Sequence, residues 1–206
     1  MLEDKVTLFL KKFVLGREVK LGDSDEVIRA CISRAYSDMM TAGKYVLDTD
    51  LAKGDKAKTE RNNGRKESFF ELLQDHGYAF SRELISDTCE LFGSLEIIRS
   101  GDRYATRWGL AQKLVNMTFK YLYVFSEEVD AEGKAIDFSV SDCPLDSVIL
   151  DAIEYKGTVW SRLDIDTYLE IQDKIDAALV DEAKKRPEIA EEKKKIGRLL
   201  YDFIKW

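Results

Sequence analysis

The chain has 206 residues, of which 45% are hydrophobic and 34% charged, and its formal net charge is −7. This length fits one large domain or two smaller halves, and the composition is that of a globular chain. The negative charge excludes a protein that coats nucleic acid with its whole surface. A single basic face remains compatible with it, because local charge attracts phosphates.

Several sequence features point to a cytoplasmic protein that does not enter a membrane. No apolar run approaches the ~20 residues that a membrane span requires. Glu3 and Asp4 stand where a signal peptide carries basic residues. Three widely spaced cysteines predict buried reduced thiols rather than disulfides or a CxxC metal site: Cys31, Cys89 and Cys143.

In the first part of the chain, the pattern predicts a helix over 6–14 and another over about 25–42, capped by Asp23 or Ser24. Residues 48–66 lack apolar periodicity and predict a loop. This loop is rich in basic residues, and both a solvated loop and a loop that contacts phosphates fit it. The basic residues are Lys53, Lys56, Lys58, Arg61, Arg65 and Lys66.

In the second part, helices are predicted over 66–75, from Ser81 to about Ile98, and over 105–125, with a turn at 100–102. A short strand is predicted at 138–140. Further helices follow from Pro144, from Asp164 or Asp166 to about Lys185, and over 188–205. The sequence therefore predicts a mainly α, compact multi-helix globular fold.

The helix over 105–125 carries a polar strip along an otherwise apolar surface. Lys113 and Lys120 fall on one side, seven positions apart, with Gln112 and Asn116 beside them. Lys113 precedes two apolar residues, so we expect partial burial, which favours the neutral, nucleophilic amine. The alternative is a surface lysine whose ammonium reaches water.

Asp146 is predicted in the first turn of the helix that Pro144 begins. A carboxylate there is favoured by the helix dipole and the unpaired N–H groups. A purely stabilising role at the helix start explains Asp146 equally well.

Together, two segments resemble the helix-hairpin-helix DNA glycosylases, and most closely the archaeal-type 8-oxoguanine glycosylase/lyases. The resemblance covers about residues 80–155. Its motifs are Gly-x-x-x-Lys, in Gly109-Leu110-Ala111-Gln112-Lys113, and Pro-x-Asp, in Pro144-Leu145-Asp146. The lysine and the aspartate are 33 residues apart. The resemblance implies one helical domain, or two halves around a cleft: about 1–80 with the C-terminal helices, and 81–160.

The resemblance also implies an activity. Lys113 would attack the sugar C1′ after the base is flipped out of the duplex, and Asp146 would assist; strand cleavage could follow as an AP-lyase step. The target would be an oxidised guanine or a phage-modified cytosine, as in anti-phage glycosylases. The partner would be double-stranded DNA, bound by a monomer without cofactor or metal.

The resemblance assigns further residues to two groups. Trp108, Asn116 and Trp160 would form the base pocket, and Tyr121 could also stack on the base. The DNA-binding residues would be Gly109, Gln112, Lys120, Lys53, Lys56, Lys58, Arg61, Arg65 and Lys66.

Two rival hypotheses stay open. A non-enzymatic helical protein that binds a protein or a ligand would leave Lys113 and Asp146 separated, or would present an apolar groove. A metal-dependent nuclease would need clustered carboxylates, and Asp142, Asp146 and Asp151 are too unevenly spaced for that. His76 is the only histidine, which disfavours His-based metal sites and catalytic triads.

Overall fold

The protein is mainly helical in a computed structural model that describes residues 23–47, 56–130 and 135–205. The first elements are α1 (Ser24–Leu47), α2 (Lys56–Asp75) and α3 (Arg82–Thr88), followed by a first 3-10 turn (Cys89–Phe92). An antiparallel hairpin of β1 (Ile97–Ser100) and β2 (Arg103–Thr106) comes next. The predicted mainly α fold is confirmed.

The elements after the hairpin are helices and one further 3-10 turn. They are α4 (Arg107–Val124), α5 (Ser126–Asp130), α6 (Ser147–Ala152), a second 3-10 turn (Trp160–Arg162), α7 (Ile165–Lys185), α8 (Glu188–Ile196) and α9 (Leu199–Lys205). Buried apolar residues from all three described segments join one hydrophobic cluster.

Helix α4 is the central helix of this cluster. Thr106 caps its start by accepting a 2.9 Å hydrogen bond from the Gly109 N–H, which satisfies one of the unpaired donors of the first turn. Almost every residue from Gly109 to Leu122 is buried, because α1, α3 and the second 3-10 turn all pack against α4. A polar side chain on this helix is therefore either enclosed in the core or directed into a cleft.

The caps predicted for two long helices are confirmed. The Asp23 carboxylate accepts the Glu26 N–H at 3.1 Å and begins α1, and the Asp164 carboxylate accepts the Thr167 N–H at 2.8 Å and begins α7. The three cysteines are buried thiols that form no disulfide, as predicted. Burial raises the pKa of Cys89 to about 11 and that of Cys143 well above its ordinary value, so both thiols stay protonated at neutral pH.

The predicted loop over 48–66 is wrong from Lys56 onward, where α2 begins. This part of α2 is mostly exposed, so it has no apolar periodicity to detect. Contacts to neighbouring elements fix it instead: Arg61 donates to the Leu47 carbonyl and Arg65 to the Leu91 carbonyl. Lys53 and the helix predicted over 6–14 lie outside the described residues.

Several predicted boundaries in the second half are also wrong. The helix from Ser81 stops at Phe92, before Gly93 at φ +100°, and Ile97 and Ile98 lie in β1. Residues 138–140 form a turn rather than a strand. The helix expected from Pro144 begins at Ser147, with Asp146 as its cap.

The predicted C-terminal helix is divided at Gly197. This residue has φ +59°, and a Cβ there would lie 2.7 Å from the carbonyl oxygens of Ser139 and Ser141. Only glycine allows this approach, so α8 ends and α9 starts in a new direction. Within the described ranges, no helix is both long and apolar enough to cross a bilayer.

Candidate active site

Lys113 and Asp146 meet at one end of a cleft. Lys113 Nζ donates to Asp146 Oδ2 at 3.1 Å across the 33 residues that separate them in sequence. The Lys113 side chain is 6% exposed and that of Asp146 17%, so the amine is enclosed while the carboxylate still borders solvent. The expected burial of Lys113 is confirmed.

The Asp146 carboxylate is held in place from two sides. Its Oδ1 accepts the Ile149 N–H at 3.0 Å, which caps α6, while Oδ2 faces Lys113. The preceding segment is anchored by Gln172, which accepts the Cys143 N–H and donates to the Cys143 carbonyl. Asp146 therefore caps a helix and also lines the cleft. Its position fits the stabilising role at the helix start and leaves its carboxylate beside Lys113.

The cleft has a volume of about 370 Å³, within the range of small-molecule sites. Its walls come from α1, α4, the start of α6 and the second 3-10 turn. Trp160 lines it, with its ring centre 5.7 Å from Lys113 Nζ. Trp160, assigned to the base pocket by the resemblance, thus borders the same space as Lys113 and Asp146.

The α1 wall of the cleft was missed by the sequence reasoning. It consists of Arg34, Asp38 and Thr41, opposite Tyr121 of α4. Tyr121 donates to Asp38 Oδ2 at 2.6 Å and accepts from Arg34 Nε at 3.4 Å. The only signal in the sequence was the four-residue spacing of Arg34 and Asp38, which is typical of any surface ion pair on a helix.

Lys120 also borders the cleft, but its ammonium is paired with Asp202 of α9. The Asp202 side chain is fully buried, and burial raises the pKa of its carboxyl, against the opposing influence of Lys120. The position of Lys120 at the cleft agrees with its predicted side of the helix. Its ion pair with Asp202 shows that Lys120 also joins α4 to α9.

Gln112 and Asn116 do not reach the cleft, which corrects their predicted roles in DNA and base binding. Both are 0% exposed. Gln112 Oε1 accepts from Asn116 Nδ2 at 3.3 Å and from the Leu145 N–H at 3.4 Å, and Asn116 Nδ2 also donates to the Tyr168 hydroxyl at 3.0 Å. These hydrogen bonds between side-chain amides attach the segment before Asp146 to α4. Gln112 and Asn116 therefore help to hold Asp146 in its place.

Gly109 is buried against protein rather than open to a phosphate. A Cβ on Gly109 would lie 2.6 Å from the Ser161 carbonyl carbon, so glycine is needed for α4 to contact the second 3-10 turn. Its N–H is already bonded to Thr106. The phosphate contact predicted at Gly109 is thus corrected to a packing role that sets the position of Trp160.

Trp108 lies away from the cleft, which corrects its assignment to the base pocket. It lines a second cavity of about 550 Å³ between the hairpin and the start of α7, together with Tyr104 and Arg162. Its ring packs edge-on against Tyr168, with centres 5.8 Å apart.

The basic residues of α2 lie beside α1. Lys58 and Lys66 share a groove of about 310 Å³ with Lys44 of α1 and the Tyr36 ring. Arg65 donates to the Leu91 carbonyl and the Tyr36 hydroxyl, and Arg61 to the Leu47 carbonyl, so these two guanidinium groups hold the helix in place. Lys56 is strongly exposed and pairs with Glu60. The structure therefore gathers part of the predicted basic set into one groove.

A second carboxylate, Asp142, is buried four residues before Asp146. It accepts from Arg82 Nε at 3.1 Å, from Arg198 Nη1 at 2.9 Å and from the Tyr168 hydroxyl at 2.9 Å. Its side chain is 1% exposed. This network joins α3, α7 and the turn that precedes α9, and all three hydrogen bonds go to the Asp142 carboxylate.

Among the described residues, no group of three or more histidine, cysteine or acidic side chains is arranged to hold a metal ion. Asp142 and Asp146 belong to separate ion-pair groups, and Asp151 is exposed. Comparison with protein-family models, with curated proteins and with solved structures gives no match to this chain.

Proposed function

We propose that the protein is a DNA glycosylase with an associated lyase step, which uses Lys113 as nucleophile and Asp146 as its proton acceptor. The observation that supports this most directly is the 3.1 Å contact between Lys113 Nζ and Asp146 Oδ2 inside one cleft. The non-enzymatic alternative expects these groups to be separated or replaced by an apolar groove.

The chemistry requires an amine without its proton next to the sugar. Asp146 Oδ2 accepts a hydrogen bond from Nζ, so it is placed to take the ammonium proton. The lone pair of Nζ then attacks C1′, and the electrons of the C1′–N bond leave with the base. Enclosure of Lys113 keeps water from competing for C1′. Asp146 then gives the proton it took from Lys113 to the departing base, which leaves its carboxylate ionised for the next step.

A lyase step can follow from the same intermediate. Opening of the sugar ring gives a Schiff base between Nζ and C1′. Removal of a C2′ proton then expels the 3′ phosphate with the electrons of its C–O bond. Asp146 is placed to accept this proton, because its carboxylate borders the cleft while its backbone cap fixes its direction.

Access of DNA to the cleft is supported by cations along α1 and α2. Arg34 lines the cleft itself, and Lys44, Lys58 and Lys66 line the groove on the neighbouring face of α1. Contacts of this kind hold the phosphate backbone without reading sequence. A base must be extruded from the duplex to enter a cleft of this size.

Borohydride trapping on duplex DNA with an abasic site tests the proposal. Wild type is expected to form a covalent adduct, and Lys113→Ala and Lys113→Arg none. Arginine keeps the positive charge beside Asp146, so its failure to react would identify the primary amine rather than the charge as the reactive group.

Lys184→Ala serves as the matched control, because Lys184 is an exposed lysine on α7 paired with Asp181. This variant is expected to trap DNA like wild type. An adduct that survives in both Lys113 variants would contradict the proposal. No adduct with wild type, together with intact duplexes carrying 8-oxoguanine or glucosylated hydroxymethylcytosine, would favour the non-enzymatic alternative.

A further inference from the structure

The larger cavity lies between the hairpin and the start of α7. Its volume of about 550 Å³ is within the range of small-molecule sites. Among the described residues, those that line it are all different from those that line the cleft of Lys113 and Asp146. The proposed glycosylase reaction therefore gives this larger cavity no role.

The lining of the larger cavity includes exposed apolar side chains. Ile97 is 43% exposed, Tyr104 36% and Ile165 46%. Only eight large hydrophobic side chains are exposed in the described part of the chain, and these three border the same cavity beside the Trp108 ring. Apolar surface gathered in this way favours a ligand with an apolar or aromatic body, because such a ligand removes that surface from water.

Two hydrogen-bond donors of the lining lack partners. Trp108 Nε1 and Arg107 Nε are buried, and neither has an acceptor among the described residues. An indole N–H and a guanidinium only donate hydrogen bonds. Buried polar groups are normally paired, so two unpaired donors in one lining favour a ligand that brings an acceptor.

Arg162 adds a positive charge that no carboxylate pairs with. Its Cζ lies 4.3 Å from the centre of the Tyr104 ring, and within the described ranges its guanidinium forms no ion pair. The Arg162 side chain is exposed, so its N–H groups are accessible to a ligand. A guanidinium stacked on an aromatic ring still presents these groups in its own plane, where two of them fit a carboxylate, sulfonate or phosphate.

Three carboxylates also line the cavity, and two of them have partners. Glu90 accepts from Arg107 Nη1 at 2.8 Å, and Asp164 caps α7 through the Thr167 N–H. Glu96 is exposed, where water and salt screen its charge. Acceptors that already have partners do not attract a ligand donor, which leaves the guanidinium of Arg162 as the charged group available to a ligand.

We propose that this cavity binds a small organic anion. The apolar or aromatic body of the anion packs against Ile97, Ile165 and Trp108, and its acidic group is bound by Arg162. The site is separate from the proposed glycosylase reaction and does not depend on it. The apolar surface alone would accept any hydrophobic molecule, whereas the unpaired donors and Arg162 select one that carries an acidic group.

Two fluorescent dyes with the same aromatic body test the proposal. 8-Anilinonaphthalene-1-sulfonate carries a sulfonate, and N-phenyl-1-naphthylamine is the same ring system without it. Both are titrated into wild type and variants, and the rise in fluorescence gives each Kd. Arg162→Gln is expected to weaken binding of the sulfonate dye about tenfold and that of the neutral dye less than about twofold, because only the sulfonate bonds to the guanidinium.

Ile165→Ser is expected to weaken both dyes by about threefold or more, because each loses apolar contact. Two variants on α7 serve as matched controls: Arg186→Gln removes an exposed arginine paired with Glu182, and Val180→Ser removes an exposed apolar side chain. Both controls are expected to bind the two dyes like wild type. Circular dichroism verifies that each variant is folded.

Three results would overturn the proposal. Equal weakening of the two dyes in folded Arg162→Gln would show that Arg162 does not bind the acidic group. Unchanged binding of both dyes in Ile165→Ser would place them elsewhere on the protein. Displacement of the sulfonate dye by an unmodified DNA duplex would assign the cavity to the DNA backbone instead of a small organic anion.

Discussion

Asp142 and Asp146 are separated by three residues, and both form ion pairs in the same segment of the chain, yet their surroundings differ in kind. Asp142 is 1% exposed and bonded to two arginines and a tyrosine hydroxyl. Asp146 meets one lysine and borders a cleft. Guanidinium groups stay charged, whereas an amine can lose its proton and react.

Two aspartates of one short segment therefore have different surroundings, a buried ion-pair network at Asp142 and an open cleft at Asp146. The Asp142 network fixes α3, α7 and the turn before α9 around the segment. Among the described residues, the Asp146 carboxylate is held by a helix cap and by a lysine. Four variants test this division, in order of decreasing expected effect.

The largest effect is expected from Asp146→Asn. Excision is expected to fall by about 10²–10⁴-fold, because the proton acceptor next to Lys113 is lost. The free energy of unfolding should fall by about 1–2 kcal/mol, since asparagine also caps helices well but enclosed Lys113 loses its counter-charge and can respond by losing its proton. Single-turnover kinetics and urea unfolding measure the two quantities, and an unchanged rate would remove Asp146 from the reaction.

Asp142→Asn should show the opposite profile, with a loss of about 3–5 kcal/mol in the free energy of unfolding, because two arginines lose their buried partner. Urea unfolding measures this loss. The exposed pair of Asp181 and Lys184 provides the control, and Asp181→Asn should leave the free energy of unfolding essentially unchanged. Equal stabilities for the two variants would contradict the structural role given to Asp142.

Gly109→Ala tests the packing that places Trp160 at the cleft. The added Cβ meets the Ser161 backbone at 2.6 Å, so a loss of about 1–3 kcal/mol in unfolding free energy is expected. Gly64→Ala is the matched control, because Gly64 is helical and no atom lies within 4 Å of the place that the added methyl group would take. This control should stabilise the protein by about 0.5–1 kcal/mol. Thermal and urea unfolding compare the two, and similar stabilities would show that α4 can shift freely.

The smallest effect concerns pH. Burial raises the pKa of Asp202 above 3.8, so the folded state binds this proton more tightly than the unfolded state. The contribution of Asp202 to stability therefore falls as pH rises from 3.8 through the raised pKa. Urea unfolding across this range should show a shallower rise of stability with pH for wild type than for Asp202→Asn. If stability changed with pH in the same way in wild type and in Asp202→Asn, the raised pKa of Asp202 would be contradicted.

Sequence reasoning succeeded where signals were local. Asp23 and Asp164 were predicted as caps because a short polar residue precedes an amphipathic repeat in both cases. The start of α2 was missed because Asn62, Asn63 and Gly64 are weak helix formers and the contacts that hold this part of the helix come from distant carbonyls.

The site was predictable only in part, because it also depends on contacts between residues that are distant in sequence. Periodicity placed Lys113, Gln112 and Asn116 on neighbouring faces of one helix, but it could not say which of them the core would enclose. The Arg34, Asp38 and Tyr121 group joins residues 83 and 87 positions apart. No local pattern records such a contact, so only the tertiary structure reveals it.

The second 3-10 turn lies between the two cavities and contributes to the lining of both. Trp160 borders the cleft, while Arg162, two residues on, lies over the Tyr104 ring at 4.3 Å beside the larger cavity. One three-residue turn therefore supplies a side chain to the lining of each cavity. Because Gly109 packs against Ser161 in the middle of this turn, the same close contact sets the position of both linings.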